Sequence, residues 1–337
     1  MATIKLLKKE SYAKFVDSIL KDFQVFAPVD TANVVSYARI NSAGEMTEDF
    51  VVSKLSPKSL VFPSIERLLS YTKTHDAIDV QNLNLAQIPA RVLFGVRPCD
   101  AKGIRTLSRI FADEPKDEIF GARLAKTTII AVSCAKADSD CFCTSMGGNP
   151  GSTEGSDILL TKINSGDFLA EITTEKGEEL LKKYAQFFED TEGTDKEPYL
   201  AKVPDAFDQK KITDNIRSLF ETDAFTKQAL RCIGCGACAY VCPTCACFDI
   251  QDETRGQRGQ RIRTWDSCCF KLFTLHTSGH NPRETQGQRW RQRLMHKFSY
   301  MPEKDGEAGC TGCGRCSRAC PVDMNLAEHI REIETLL

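Results

Sequence analysis

The sequence predicts an α/β domain over residues 1–220. A smaller α+β domain follows over 221–337, built around grouped cysteines and split by an insertion at 248–309. Three observations predict this. Two short apolar runs, ARVLFGV at 90–96 and KTTIIAVS at 126–133, are bounded by turn residues and separated by a helical stretch, the pattern of buried strands in an α/β unit. The 16 cysteines of the 337-residue chain are clustered, not scattered. Two of the clusters, CIGCGACAYVCPTCAC at 232–247 and CTGCGRCSRACP at 310–321, repeat nearly the same spacing.

Along the chain, the first 25 residues suggest a helix, with Phe15, Ile19 and Leu20 on its apolar side, and 26–45 reads as short strands and turns. KSLVFPSIERLLSYT at 58–72 suggests an extended entry and then a helix, with Pro63 near its first turn and Glu66–Tyr71 continuing it. After the strand at 90–96, the latter half of RPCDAKGIRTLSRIF is helical, and KTTIIAVS is the next strand. DILLTKI and FLAEI, separated by SGD, predict a hairpin; EKGEELLKKYAQFFEDTE predicts a helix, and a polar, acidic link follows near 189–197. KITDNIRSLFETDAFTKQALRC at 211–232 is periodic like a helix and leads into the first cysteine run, which places the domain boundary near 210–225.

Composition narrows the class. Charged residues make up 27% and the formal net charge is −2, so the balance selects neither nucleic acid nor membrane surface as a partner. MATIKLLKKESYAKFVDSIL lacks the apolar core and cleavage site of a secretory leader, and no apolar window reaches the length of a membrane span. The expected location is the cytoplasm, where grouped cysteines point to metal or redox chemistry, not to disulfides.

Cys232, Cys235, Cys238 and Cys242 follow C-x2-C-x2-C-x3-C-P, and so do Cys310, Cys313, Cys316 and Cys320. This is the spacing of two-cluster bacterial ferredoxins. Three cysteines on one tight loop hold three irons of a cubane, and the fourth ligand comes from the other run. Cys232, Cys235, Cys238 and Cys320 are therefore expected to bind one 4Fe–4S cluster, and Cys310, Cys313, Cys316 and Cys242 the other. Structural zinc also takes four thiolates, but two complete runs each closed by Cys-Pro favour iron–sulfur. The C-terminal domain is thus expected to be a two-cluster bacterial ferredoxin-like α+β domain with a long insertion.

Eight cysteines remain. Cys99 follows the strand at 90–96 and Cys134 the strand at 126–133. If those strands are parallel neighbours, both thiols emerge at one sheet edge, where ligands of α/β sheets usually sit. Cys141 and Cys143 lie on the loop just beyond. We expect these four to hold a third 4Fe–4S cluster. Zinc and separate core thiols are the alternatives, and no G-x-G-x-x-G follows either strand to support a dinucleotide site. Cys245 and Cys247 form a C-x-C pair, and Cys268 and Cys269 are adjacent. A cluster on Cys245, Cys247 and Cys268 lacks an obvious final ligand, so burial around the ferredoxin core is the expectation for these four.

Residues 251–300 carry ten Lys or Arg against four Asp or Glu, with Trp265, Trp290, Phe298 and Tyr300 interleaved. A solvated face and a docking surface for a partner subunit both fit; on the second reading Arg289, Arg291 and Arg293 face the partner. No nucleic-acid fold motif accompanies the stretch. His276 and His280, four apart, are expected to serve structural hydrogen bonding instead of metal, since Gly279 and Pro282 argue against a helix there.

The segments SPKSLVFPSIERLL, VLFGVRPCDAKGI and SCAKADSDCFCTSMGG, with the insertion from RIRTWDSCCF through GHNPR to CTGCGRC, carry a resemblance over nearly the whole chain. They resemble one family of electron-transfer subunits, which holds the beta subunit of sulfhydrogenases together with the 4Fe–4S dicluster subunit of anaerobic sulfite reductase. The resemblance implies a 4Fe–4S electron-relay subunit without catalytic residues of its own. It implies a partner that binds FAD and oxidises NAD(P)H. The other partner it implies is a set of nickel–iron hydrogenase subunits or a siroheme sulfite reductase subunit, in anaerobic metabolism. A catalytic reductase using the N-terminal iron–sulfur site, or a non-redox zinc or iron–sulfur assembly module, is the alternative class.

Overall fold

The computed structural model describes residues 3–191 and 195–337. The acidic link expected at 189–197 lies partly outside that range. Twelve strands form two sheets: β1 (Thr3–Leu7), β2 (Gln24–Thr31), β3 (Val34–Arg39), β4 (Ile65–Lys73), β5 (Ile78–Asn82), β6 (Arg91–Val96), β7 (Thr127–Val132), β8 (Ile158–Lys162), β9 (Phe168–Ile172), β10 (Phe188–Asp190), β11 (Phe248–Arg255) and β12 (Arg258–Trp265). The large sheet has the order β10-β1-β9-β8-β7-β6-β2-β3. Its centre, β2-β6-β7-β8, is parallel, and antiparallel strands extend it on both sides.

Strands at the centre of such a sheet are covered on both faces, which is why β6 and β7 read as continuous apolar runs. Val92, Phe94 and Ile130 point to one face, where the helix Lys9–Ile19 packs Phe15, Val16 and Ile19 against them. Leu93, Ile129 and Ala131 point to the other, under Ala101, Ile104 and Leu107 of the helix Pro98–Phe111. The result is an N-terminal α/β domain, as the two apolar runs predicted. The hairpin of β8 and β9 forms as expected.

Three local expectations are corrected. The chain opens with β1 before its first helix. The segment expected as a helix at 66–71 is β4, paired with both β5 and β12. Buried Glu66 explains the change: it is bound by Arg123 from the neighbouring helix and Arg263 from β12, and strand pairing overrides the helical preference of ERLLS. The helix expected at 175–192 ends at Lys183, and a single tight turn leads into β10 on the edge of the large sheet.

The second sheet, β11-β12-β4-β5, joins the two halves of the chain. Its β11–β12 hairpin belongs to the insertion, while β4 and β5 come from the N-terminal half. Trp265 at the end of β12 packs with Phe62 and donates its indole N–H to the Phe62 carbonyl at 3.1 Å. The rest of the insertion supplies the helix Gln286–Met295. It is started by a capping box in which Thr285 and Gln288 satisfy each other's backbone N–H groups. Trp290, Leu294 and Phe298 recur every four residues and fill a core shared with Phe142 and Met146 of the N-terminal half and Ile330 and Ile333 of the last helix.

Candidate metal centres

The two cysteine runs fold into matching loops, each ending in a short helix, Ala237–Tyr240 and Arg315–Arg318. In both loops the two glycines between the cysteines take positive φ, 69° and 75° at Gly234 and Gly236, 65° and 69° at Gly312 and Gly314. Gly312 shows why no other residue fits. A β-carbon there would stand 2.4 Å from the Phe142 carbonyl oxygen and 2.5 Å from the Cys143 nitrogen, so the second loop is pressed against the N-terminal cysteine loop.

Cys232, Cys235 and Cys238 line one cavity together with Cys320 from the other run and with Cys269. Cys242, Cys310, Cys313 and Cys316 form a second, deeper group. Burial pushes the Cys316 thiol up to about 12, with Cys310, Cys313 and Cys242 within electrostatic reach. Each trio thus stands beside the fourth cysteine of the opposite run, as ligand exchange requires. Donors aim at the sulfurs: Gln286 Nε2 at Cys232 (3.1 Å), the Met324 N–H at Cys320 (3.2 Å) and Lys297 Nζ at Cys242 (3.4 Å). Cys242 is held well below the ordinary thiol range, first by a hydrogen bond from Cys245, with the buried charges of Lys297 and Arg293 adding to it. Cavity shape, crossed ligands and buried donors fit anionic four-thiolate clusters, whose sulfurs such donors stabilise.

β6 and β7 are parallel neighbours, and Cys99 and Cys134 follow their C-terminal ends. Both line one cavity with Cys141 and Cys143. Gly312 and Cys313 form part of the same wall, so this cavity abuts the second ferredoxin-type loop. Burial raises Cys134 to about 11 and Cys143 to about 12. Arg318 donates to the Cys141 sulfur at 3.4 Å. Between the two centres lies a buried ion pair. Asp100, next to Cys99, is clamped by Arg315, which sits between Cys313 and Cys316, with Nη1 to Oδ1 at 2.7 Å and Nη2 to Oδ2 at 2.8 Å. Lys102 is not a surface charge: buried, it donates to the Met146 carbonyl at 3.1 Å and pairs with Glu154.

The structure adds residues that motif spacing does not mark: Lys58, Gln286, Arg293 and Lys297. The one available signal was the spacing of Arg289, Arg293 and Lys297, a cationic stripe along a single helix face, and all three are buried. This corrects the expectation that Arg289, Arg291 and Arg293 form an exposed docking face. Arg289 is tied to the carbonyls of Arg283 and Glu284, Arg291 lies over the Phe220 ring at 3.8 Å, and Arg293 is 2% exposed among the cysteines. His276 and His280 are exposed in a turn, where the His276 N–H donates to the His280 carbonyl at 2.9 Å.

Replacing Gln286 by leucine is expected to remove one donor from the Cys232 sulfur and so to disfavour the reduced, more negative state of the centre. A lost bond of about 1.4 kcal/mol would lower a one-electron potential by about 60 mV. A potentiometric titration followed by electron spin resonance reads this, and an unchanged potential would remove Gln286 from the tuning set.

The fold and the paired loops define a 4Fe–4S dicluster protein joined to an N-terminal α/β domain. Residues 231–324 match the family model described as a 4Fe-4S dicluster domain. The chain is 28% identical over 340 residues to sulfhydrogenase 2 subunit beta of Pyrococcus furiosus, an alignment covering 97% of this chain and 96% of that relative. Both findings agree with the 4Fe–4S dicluster resemblance carried by the sequence motifs. No solved structure matches it. No helix among the described residues is long and apolar enough to cross a membrane.

Proposed function

We propose that the chain is a non-catalytic electron-transfer subunit of a cytoplasmic oxidoreductase complex, holding three 4Fe–4S clusters. It would relay electrons between a partner that binds FAD and oxidises NAD(P)H and the catalytic subunit of a hydrogenase or of a sulfite or sulfur reductase. The observation that carries this reading is the shared wall at Gly312–Cys313, which makes the cavity of Cys99, Cys134, Cys141 and Cys143 continuous with the dicluster loops. When bound, such clusters supply one-electron oxidation and reduction. The chain's own residues hold the thiolates in place, exclude water and supply buried positive charge. The name of the Pyrococcus furiosus relative, a sulfhydrogenase subunit, supports the choice of complex.

The anaerobically prepared chain is expected to carry at least about twelve irons, four per cubane, with matching acid-labile sulfide. Cys141→Ser with Cys143→Ser should remove about four of them and spare the dicluster signals. Full iron content in that variant would sink the third centre. Native purification that yields the chain with no flavin-containing companion would sink the relay between subunits.

A further inference from the structure

Four cysteines lie outside the expected ligand sets above, and three of them meet. Cys245, Cys247 and Cys268 line one cleft, in which His296 is the remaining Cys, His, Asp or Glu side chain. The β11–β12 hairpin brings them together. Phe248 pairs with Trp265 at the open end of the hairpin, and the Asp266 N–H donates to the Cys247 carbonyl at 3.0 Å. This holds the C-x-C turn against the S-C-C turn, so that Cys247 and Cys268 line the same cleft. The adjacent Cys269 points the other way, 3.7 Å from Cys238 and into the first dicluster cavity.

The surroundings of this cleft are rich in buried positive charge. Lys58, Arg293 and Lys297 are each 3% exposed or less. Among the described residues none of the three makes an ion pair with a carboxylate. Lys58 donates to the Cys245 carbonyl at 2.9 Å, and Arg293 Nη1 points at the Cys245 sulfur at 3.5 Å. Burying an unpaired cation is costly, and three together need an anion. The second dicluster group answers Lys297 through Cys242, Arg293 stands between Cys245 and the first dicluster cavity, and Lys58 donates to the Cys245 and Ala239 carbonyls. No group of three or more His, Cys, Asp or Glu among the described residues converges at single-ion spacing.

We propose that Cys245, Cys247 and Cys268 bind a further iron–sulfur cluster, with His296 at the rim of the cleft as the fourth donor. Each thiol gives its proton to solvent on ligation. The site lies beside both dicluster groups, joined to the first through the Cys268–Cys269 peptide and to the second through Cys242–Cys245.

The test uses the full chain, reconstituted anaerobically with ferrous iron and sulfide. Wild type should bind about sixteen irons, four per cubane, with equal sulfide. Cys245→Ser, Cys247→Ser and Cys268→Ser combined should lose about four, and Cys141→Ser with Cys143→Ser a separate four, so that the two sets together leave about eight. His296→Ala should keep the iron but alter the electron spin resonance or Mössbauer signature of one cluster; an unaltered spectrum removes His296 as a ligand. Unchanged iron and sulfide in the triple variant overturns the proposal, as does zinc in place of iron at the site. Should the triple variant not fold, the wild-type count decides. About twelve irons, falling to about eight in the Cys141 and Cys143 variant, overturns this site and leaves the N-terminal centre standing. About twelve with no loss in that variant removes the N-terminal centre and keeps this one.

Discussion

Replacing Arg315 by methionine is expected to destabilise the protein by about 3–5 kcal/mol, because it strands the Asp100 carboxylate in the interior. Both side chains are essentially inaccessible, and Arg315 also donates to the Ser53 carbonyl at 2.8 Å and its hydroxyl at 3.0 Å. Burial pushes the Asp100 carboxyl up, and the Arg315 guanidinium pulls against that rise. The pair also ties the turn that carries Cys99 to the loop that carries Cys313 and Cys316, so the variant should loosen two centres at once. Denaturant unfolding of the anaerobic protein measures this as a lowered midpoint. Replacing both partners, Asp100→Leu with Arg315→Met, should recover much of the loss, since two apolar groups leave no buried charge behind. A single variant that unfolds at the wild-type midpoint would show that the pair contributes nothing to stability.

A chain ended at residue 220 is expected not to fold as a unit. It would strip β4 of its partner β12, remove Trp265 from Phe62, and leave Phe142 and Met146 without the helices that cover them. It would also leave Asp100 buried and unpaired. Each loss is worth a few kcal/mol, and their sum reaches the whole stability of an ordinary domain, about 5–15 kcal/mol. Limited proteolysis and size-exclusion chromatography of the fragment, against the intact chain, give the answer. A monodisperse fragment as protease-resistant as the whole would mean that the contacts across the chain are dispensable.

Much of the α/β architecture was legible because its signals are local. The runs at 90–96 and 126–133 are apolar without alternation, and only a strand covered on both faces accommodates that. The position of Cys99 and Cys134 directly after them made a shared sheet edge readable from the sequence. β4 was not legible, because ERLLS prefers a helix by itself and its strand state depends on Arg263, almost two hundred residues away. The arginines of the insertion misled for a related reason. Charge excess in a stretch of sequence says nothing of which charges face inward, and here the inward ones answer thiolates on another loop.

By itself the sequence marked the two cysteine runs of the dicluster domain, since cysteine spacing and the glycines between them are properties of one short loop that any fold must respect. It also determined the class of relatives, through motifs that run nearly the length of the chain. Only the tertiary structure decided that the hairpin of the insertion completes a sheet begun in the N-terminal half. The same is true of the meeting of Cys245 and Cys247 with Cys268, and of the place of Lys58, Arg293 and Lys297 among the sulfurs. Those are long-range pairings. They arise from burying apolar faces against one another and from the need of every buried charge for an opposite one, and neither leaves a mark at fixed spacing.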